Sequence, residues 1–357
     1  MSLSDFLQRT MSRWMKDGGP NDDIILTSRV RVARNLQDRP FPVLQTDSHA
    51  DEVIEMTRRA VESQAMRELG DFEFARCSEM SALDRSVLVE KHLISRDLAE
   101  HSDHGALALR DDEAVSLMVN EEDHLRIQVL MPGFRVHDAW ELASSIDDVL
   151  EQQLPYAFDE QLGYLTACPT NVGTGIRASV MMHLPGLVIA RQINRMLSAV
   201  SQVGLTVRGL YGEGSEAAGN LFQVSNQVTL GESEEEIIGN LGSVVNQLID
   251  HERSARQALF HENRERLEDR VWRSFGILAY AREMDSKETL QRLSDVRLGI
   301  DLGIINGVSA GILKELMVMT QPSFLQKYYQ QELTPGERDI RRAALIRERL
   351  RLDTEVR

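Results

Sequence analysis

The chain is poor in cysteine, in long apolar runs and in positive charge. Two cysteines, Cys77 and Cys168, among 357 residues leave no room for a disulfide framework. The opening stretch MSLSDFLQRTMSRW has no basic leader followed by an apolar run, so a reducing cytoplasm is the expected setting. No segment approaches the roughly 18 uninterrupted apolar residues of a membrane helix, and no period of repeat length is found. Membrane spans and solenoids drop out. Lys and Arg total 40 against 56 Asp and Glu, a formal charge of -16. A surface of that sign repels phosphate backbones and anionic lipid, so neither direct nucleic-acid binding nor membrane attachment is expected. A basic, arginine-bearing macromolecule suits it better.

What is present is a soluble, core-forming composition, 42% hydrophobic, at a length that predicts about two domains. Residues 48–64 read as a helix started by Ser48 and Asp51, with Val53, Met56 and Ala60 along one stripe. From 114 to 129 the period changes to two: Val115, Leu117 and Val119, the polar corner NEED, then Leu125, Ile127 and Val129, which describes a β-hairpin. Further strands are expected at 204–210 and 221–229. Ser233 and Glu236 cap a helix carrying Ile237, Leu241, Val244 and Leu248. After about 255 the strand signal stops and charged helical sequence continues to the end. The expectation is an α+β domain over 1–255 and an all-helical domain over 256–357, joined without a Pro/Gly linker and therefore closely packed.

Five segments of the first domain carry chemistry. In LTSRVRVAR, Arg29 and Arg31 alternate with Val30 and Val32, so an extended chain points both guanidinium groups to one side. Two fixed cations on one face suit a polyphosphate, because the arginine fork binds phosphate oxygens bidentately; alone, the pair also fits a solvated face. His92 closes the short apolar run VLVEKHLIS at what reads as a strand end, where a structural role is equally open. Glu121, Glu122 and Asp123 crowd the hairpin turn with Arg126 on the returning strand, although acidic residues populate turns for backbone reasons alone. In YLTACPTNVGTGIRASVMMHLP, Cys168 precedes a tight glycine-bearing loop and then a strand on which Arg177, Ser179 and Met181 share a face. Positive charge nearby would favour thiolate at Cys168. In VRGLYGEGSEAAGN, Arg208 enters a loop where glycines 209, 212 and 214 allow close backbone approach and Glu213 and Glu216 stand ready, although a generic flexible loop reads the same way.

Taken together, SRVR, NEEDHLRI, CPTNVGTGIRAS and RGLYGEG resemble, in order and approximate spacing, the catalytic domain of the guanidino (phosphagen) kinase superfamily over roughly residues 24–255, and specifically the bacterial protein-arginine kinases. Neither GxxxxGK[ST] nor the HRD and DFG elements occur, so the phosphate site is of another design. The resemblance implies a phosphagen-kinase-like antiparallel sheet flanked by helices, with ATP and Mg²⁺ as cofactors and no metal held by protein side chains. It places Thr27, Ser28, Arg29, Val30 and Arg31 at the nucleotide, with Arg126. Arg177, Ala178, Ser179, Val180 and Met181 join them from the next strand. Arg208, Gly209, Leu210, Tyr211, Gly212 and Glu213 follow, with His92 near the adenine or ribose. Glu122 and Glu213 match the pair that grips a substrate guanidinium, and Cys168 the thiol beside it. A guanidinium has no free lone pair and loses its proton only above pH 12, so proton loss must accompany N–P bond formation; Glu122 is the expected base and Glu213 the orienting partner.

Only about two dozen residues precede SRVR, where small-molecule guanidino kinases carry a helical domain, and an open acceptor pocket is the implied consequence. In the last helical segment Thr334, Pro335 and Glu337 begin a helix on which Arg338, Arg341 and Arg342 share a face with Asp339 at its edge. By resemblance, Arg338, Asp339, Arg341, Arg342 and Ala343 form an allosteric phosphoarginine pocket; otherwise they are an exposed Arg-rich helix. The family also implies protein substrates, a transcriptional repressor among them, a zinc-binding activator protein, delivery to an AAA+ protease unfoldase in the stress response, and a homodimer. A free-arginine kinase and a non-catalytic phosphoarginine-reading adaptor are the competing readings.

Overall fold

The alternating segment around Arg29 and Arg31 forms the longest described strand and the middle of the molecule. The structure is a computed structural model that describes residues 3–16, 18–101, 103–209 and 218–355. Its strands are β1 (Ile25–Arg34), β2 (Phe72–Arg76), β3 (Ala106–Arg110), β4 (Val115–Val119), β5 (Leu125–Pro132), the short pair β6 (Phe158–Asp159) and β7 (Gly163–Tyr164), β8 (Ile176–His183), β9 (Leu205–Gly209) and β10 (Leu221–Asn226). Eight of them make one sheet in the order β2-β3-β4-β5-β1-β8-β10-β9. The described pairings are antiparallel throughout.

Period-two alternation divides that sheet into two unlike faces. One carries Val30, Val32, Ile127, Val129, Ile176, Ala178 and Val180, which pack with Ala139, Ala143, Ile146, Ile237, Leu241 and Val245 of the helices Val136–Glu151 and Glu234–Glu262. The other face is apolar toward its two ends, where Leu107, Met118, Met181 and Leu221 meet the N-terminal segment and the last helices, and cationic at its centre. The Ser233–Glu236 capping box forms as expected, Glu236 N donating to Ser233 Oγ at 3.3 Å and Ser233 N to the Glu236 carboxylate at 2.8 Å. The early helix spans Asp47–Val61, and its cap is Thr46 rather than Ser48, because Thr46 Oγ1 accepts from His49 N at 3.4 Å.

The last helices have a core of their own, with Leu267, Val271, Leu293, Val296, Leu313 and Ile346. The helix Glu234–Glu262 runs unbroken through residue 255. On it, Arg256 bonds Glu252 (2.7 Å) and Asp301 (3.2 Å), and donates to the carbonyls of Asp23 and His183. Arg297 adds Asp301 (2.8 Å) and the Asp22 carbonyl (2.6 Å). Each of these charges is buried and paired, so removing one would strand its partner away from water.

His124 is held neutral by this packing. Its Nδ1 accepts from Leu36 N and its Nε2 faces the Pro40 carbonyl, both at 3.0 Å, so Nε2 carries the proton. Burial pushes its pKa down to about 4, with the Arg39 charge acting in the same direction. An unfolded histidine takes up its proton near pH 6.5, the folded one only near 4, so this stabilisation is complete above about pH 6.5 and is lost as pH falls between the two. Thermal unfolding followed from pH 7 to pH 5 should show a midpoint that drops with acidification; a constant midpoint contradicts the assignment.

Candidate active site

Strand alternation gathers the arginines of four strands on the face turned away from the two long helices. Arg31 on β1 stands opposite Gln128 of β5 on one side and Arg177 of β8 on the other, while Arg29 stands opposite Ser179. Arg126 of β5 and Arg208 of β9 complete the set, Arg208 paired in register with Gln223 of β10. Arg29 donates to Gln223 Oε1 at 3.0 Å and to Ser179 Oγ at 3.4 Å. Among the described residues, Arg31 Nε has no hydrogen-bond acceptor.

Like charges directly opposite on neighbouring strands repel, and the titration of the group registers it. Burial pushes Arg29 down to about 10, with Arg177 and Arg126 adding to the fall. Arg31 is pushed down well below its ordinary value by burial, then by Arg29, Arg126 and Arg177, with Glu121 opposing. Guanidinium groups do not deprotonate in practice; burial first, and the neighbouring guanidinium charges after it, disfavour the charged row. A polyanion laid across the row would offset that repulsion.

Beside the row lie the acceptor candidates. Arg126 donates to Glu121 at 2.6 Å and to Glu122 at 2.7 Å. The Glu121 side chain is 1% exposed and that of Glu122 40%, so of the two only Glu122 faces an incoming group. Asp123, fully buried, accepts from Asn35 Nδ2 and Ala167 N, each at 2.6 Å, and so ties the Cys168 segment to the hairpin turn. Cys168 leads into the turn Pro169–Asn171, its Sγ 3.0 Å from Thr170 Oγ1. Behind it Gly173 and Gly175 have φ of 109° and 68°. A Cβ at Gly173 would fall 2.3 Å from the Thr229 carbonyl, and at Gly175 2.6 Å from that of Ala33, so both must be glycine. Arg31, Glu122, Arg126, Cys168, Arg177 and Arg208 share a cavity of about 310 Å³. Arg29, Arg31, Arg126 and His92 also line a neighbouring cleft of about 800 Å³, whose far wall includes Met317, Gln321 and Ser323.

Not every expected residue presents its side chain here. Ser28, Val30, Ala178 and Val180 fall on the opposite, core face by strand alternation; Ser28 Oγ is spent on the Gly133 carbonyl and Arg135 N, both at 2.9 Å. Thr27 and Met181 line a narrow slot with Arg29, His92 and Ser179. His92 follows the helix Ala82–Glu90 instead of a strand and takes a left-handed φ of 61°, because its apolar run has helical rather than alternating burial. Its pKa is pushed down to about 4 by burial, then by Arg29 and Arg96, so it is neutral near pH 7. Gly209 ends β9, whereas Leu210, Tyr211, Gly212 and Glu213 lie outside the described residues.

Of the three arginines expected on one face, Arg338, Arg341 and Arg342, the last is turned into the core. Arg342 is buried, donating to the Thr320 and Met284 carbonyls at 2.8 Å each and pairing with Asp339, and Ala343 is buried behind it. Arg341 lies over the Tyr329 ring at 4.9 Å and is exposed. Neighbours in sequence are about 100° apart on a helix, and the inward stripe of Ala343 and Ile346 takes Arg342 with it. Sequence reasoning missed Gln128 and Gln223, which period two from Arg126 and from Ser225 would have placed on the cationic face, and the tie made by Asp123.

The structure thus sets a face of fixed guanidinium groups beside a glutamate and a thiol. The family model "ATP:guanido phosphotransferase, C-terminal catalytic domain" matches residues 52–255, and "Protein-arginine kinase McsB C-terminal domain" matches 264–356. Curated protein-arginine kinases of Brevibacillus brevis, Geobacillus stearothermophilus and Bacillus subtilis are 59%, 56% and 55% identical, each over 99% of this chain and 97–99% of their own length. A lombricine kinase crystal structure superposes with a TM-score of 0.57 at 25% identity, covering 68% of either chain. The duplicated taurocyamine kinase of Schistosoma mansoni, at 22% identity, shares the fold with a TM-score of 0.59 over 71% of this chain and 38% of its own. The chain belongs to the ATP:guanido phosphotransferase family and, within it, to the protein-arginine kinases.

If the arginine row is strained by its own charge, removing one member relaxes it. Arg31→Met should raise the unfolding midpoint of the nucleotide-free protein by about 1 °C, corresponding to about 0.5–1 kcal/mol, while abolishing measurable ATP affinity. A lowered midpoint with affinity retained would contradict both the strain and its purpose.

Proposed function

We propose that this protein transfers the γ-phosphoryl group of ATP to arginine side chains of proteins. The observation that carries it is the shared cavity in which Arg31, Arg126, Arg177 and Arg208 stand around Glu122 and Cys168. The row takes the triphosphate. Mg²⁺ would come with the nucleotide and offset part of its phosphate charge. As the γ-phosphate takes up Arg126, the Arg126–Glu122 pair gives way and frees the carboxylate for the incoming guanidinium. A bond forms from the guanidinium nitrogen to phosphorus, the bond from phosphorus to the ADP oxygen breaks, and the nitrogen's proton passes to Glu122 as attack proceeds. The row then meets the charge developing on the transferring group with donors already in place. Glu213, which lies outside the described residues, keeps its expected orienting role, and Cys168 lines the same cavity as Glu122.

The wider role follows the family. Protein substrates in the cytoplasm, a transcriptional repressor among them, would be marked for an AAA+ protease unfoldase during stress, under control of a zinc-binding activator. The enzyme would work as a homodimer through its helical region. Arg338, half-exposed and close enough for its charge to act on Glu90, is the member of the C-terminal trio best placed to receive a phosphoarginine in an allosteric pocket. Asp339 and Arg342 stiffen the floor beneath it.

Incubating a basic protein, and separately free arginine, with MgATP distinguishes the reading from its rivals. Mass analysis should find acid-labile phosphate on protein arginine, little on free arginine, and a loss of at least a hundredfold in rate with Glu122→Gln at nearly unchanged ATP affinity. Labelling of free arginine alone, or no ATP consumption, sinks the proposal. With Arg338→Ala, phosphoarginine peptide should no longer bind or modulate the rate; full retention counts against the pocket.

A further inference from the structure

Trp14 belongs to the N-terminal segment, outside the residues the family model matches, and is completely buried. Its indole stands edge-on to the His92 ring, with centroids 5.5 Å apart and an interplanar angle of 74°, and its Nε1 donates to the Lys91 carbonyl at 3.2 Å. Lys91 is itself fixed. Its Nζ, fully buried, donates to the Phe6 carbonyl at 2.6 Å and to Glu113 at 2.7 Å, and Ser12 Oγ bonds the other oxygen of Glu113. Two non-glycine residues of this knot, His92 and Glu113, have left-handed φ of 61° and 60°. Such a backbone persists only where the surroundings impose it. From the other side, Gln128 Nε2 holds the His92 carbonyl at 3.0 Å.

The knot ends at a slot between sheet and N-terminal segment. Trp14, His92, Leu130 and Met181 give it flat and apolar walls, Thr27 and Ser179 give it polar edges, and Arg29, first in the phosphate-binding row, stands at its mouth. Arg29 and Gln223, which also line it, are bonded to each other, so a phosphate drawing on Arg29 would loosen the slot's edge. The slot holds only about 10 Å³, so it keeps Trp14 against the His92 ring and seats no ligand; His92 also lines the cleft of about 800 Å³ with Arg29, Arg31 and Arg126, and that cleft suits a planar heteroaromatic base whose phosphates run along the arginines.

We infer that Trp14 is a positioning residue for the nucleotide: braced through Lys91 and Glu113, it holds His92 as the wall against which the base of ATP stacks. This rests on the nucleotide reading above. Trp14 acts through His92 and sets affinity for the nucleotide, leaving the transfer step to the arginines and Glu122.

The test compares Trp14→Leu and Trp14→Phe with the parent protein. Calorimetry of MgADP binding to the parent comes first, because absence of binding there defeats the nucleotide reading itself. Given binding, Trp14→Leu should raise the KM for ATP about tenfold or more, with kcat and the KM for the protein substrate within about twofold, and Trp14→Phe should recover most of the loss. Unchanged ATP KM in folded Trp14→Leu, or a fall in kcat alone, overturns the inference and leaves the function standing. Should Trp14→Leu fail to fold, Trp140→Phe/Trp272→Phe leaves Trp14 as sole emitter. Its fluorescence should shift with MgATP and stay still with Mg²⁺ alone; no shift with MgATP likewise overturns the inference.

Discussion

Mutual repulsion among the arginines at the centre of the sheet is the constraint around which the rest of the molecule is arranged. Arg29, Arg31, Arg126, Arg177 and Arg208 cannot spread apart, because their strands are locked in register by an antiparallel ladder and by the apolar packing of the opposite face. A polyanion laid across them would offset that repulsion. Preorganised charge of this sort needs no rearrangement at the moment of reaction. Rigidity is therefore the requirement, and the two long helices behind the sheet supply it.

The acidic groups complement that field. Glu121 is sealed against Arg126, while Glu122 shares the same guanidinium and remains open. Arg126 thus joins the arginine row to both carboxylates. The helical region is joined to the same centre. Glu90, at the end of the helix leading to His92, accepts from Ser323 N (2.8 Å) and Phe324 N (2.7 Å) at the start of the helix Pro322–Tyr329, and Lys327 pairs with Asp84 at 2.6 Å. Residues of that region, Met317, Gln321 and Ser323, line the larger cleft opposite the arginines.

Local rules make much of this arrangement legible in the sequence. Period two in LTSRVRVAR and GIRASVMM puts the guanidinium groups on one face, the NEED corner turns the hairpin, and SxxE caps the long helix. What escapes those rules depends on contacts distant in sequence. The setting of His92 is held by the N-terminal segment, whose Trp14 and Phe6 bond Lys91 beside it, and the inward turn of Arg342 by carbonyls at Met284 and Thr320. Helical spacing states which residues are neighbours on a helix but not which side the core will take. Asp123 has the sequence setting of an ordinary turn residue, and only the approach of Ala167 shows that it fastens the thiol loop.

The most direct measurement is thermal unfolding of the nucleotide-free protein in tripolyphosphate and in sodium chloride at matched ionic strength. If the arginine row is strained by its crowded like charge, tripolyphosphate should raise the midpoint far more than chloride does, since it occupies the row where chloride only screens it. Equal midpoints in the two salts would contradict the account.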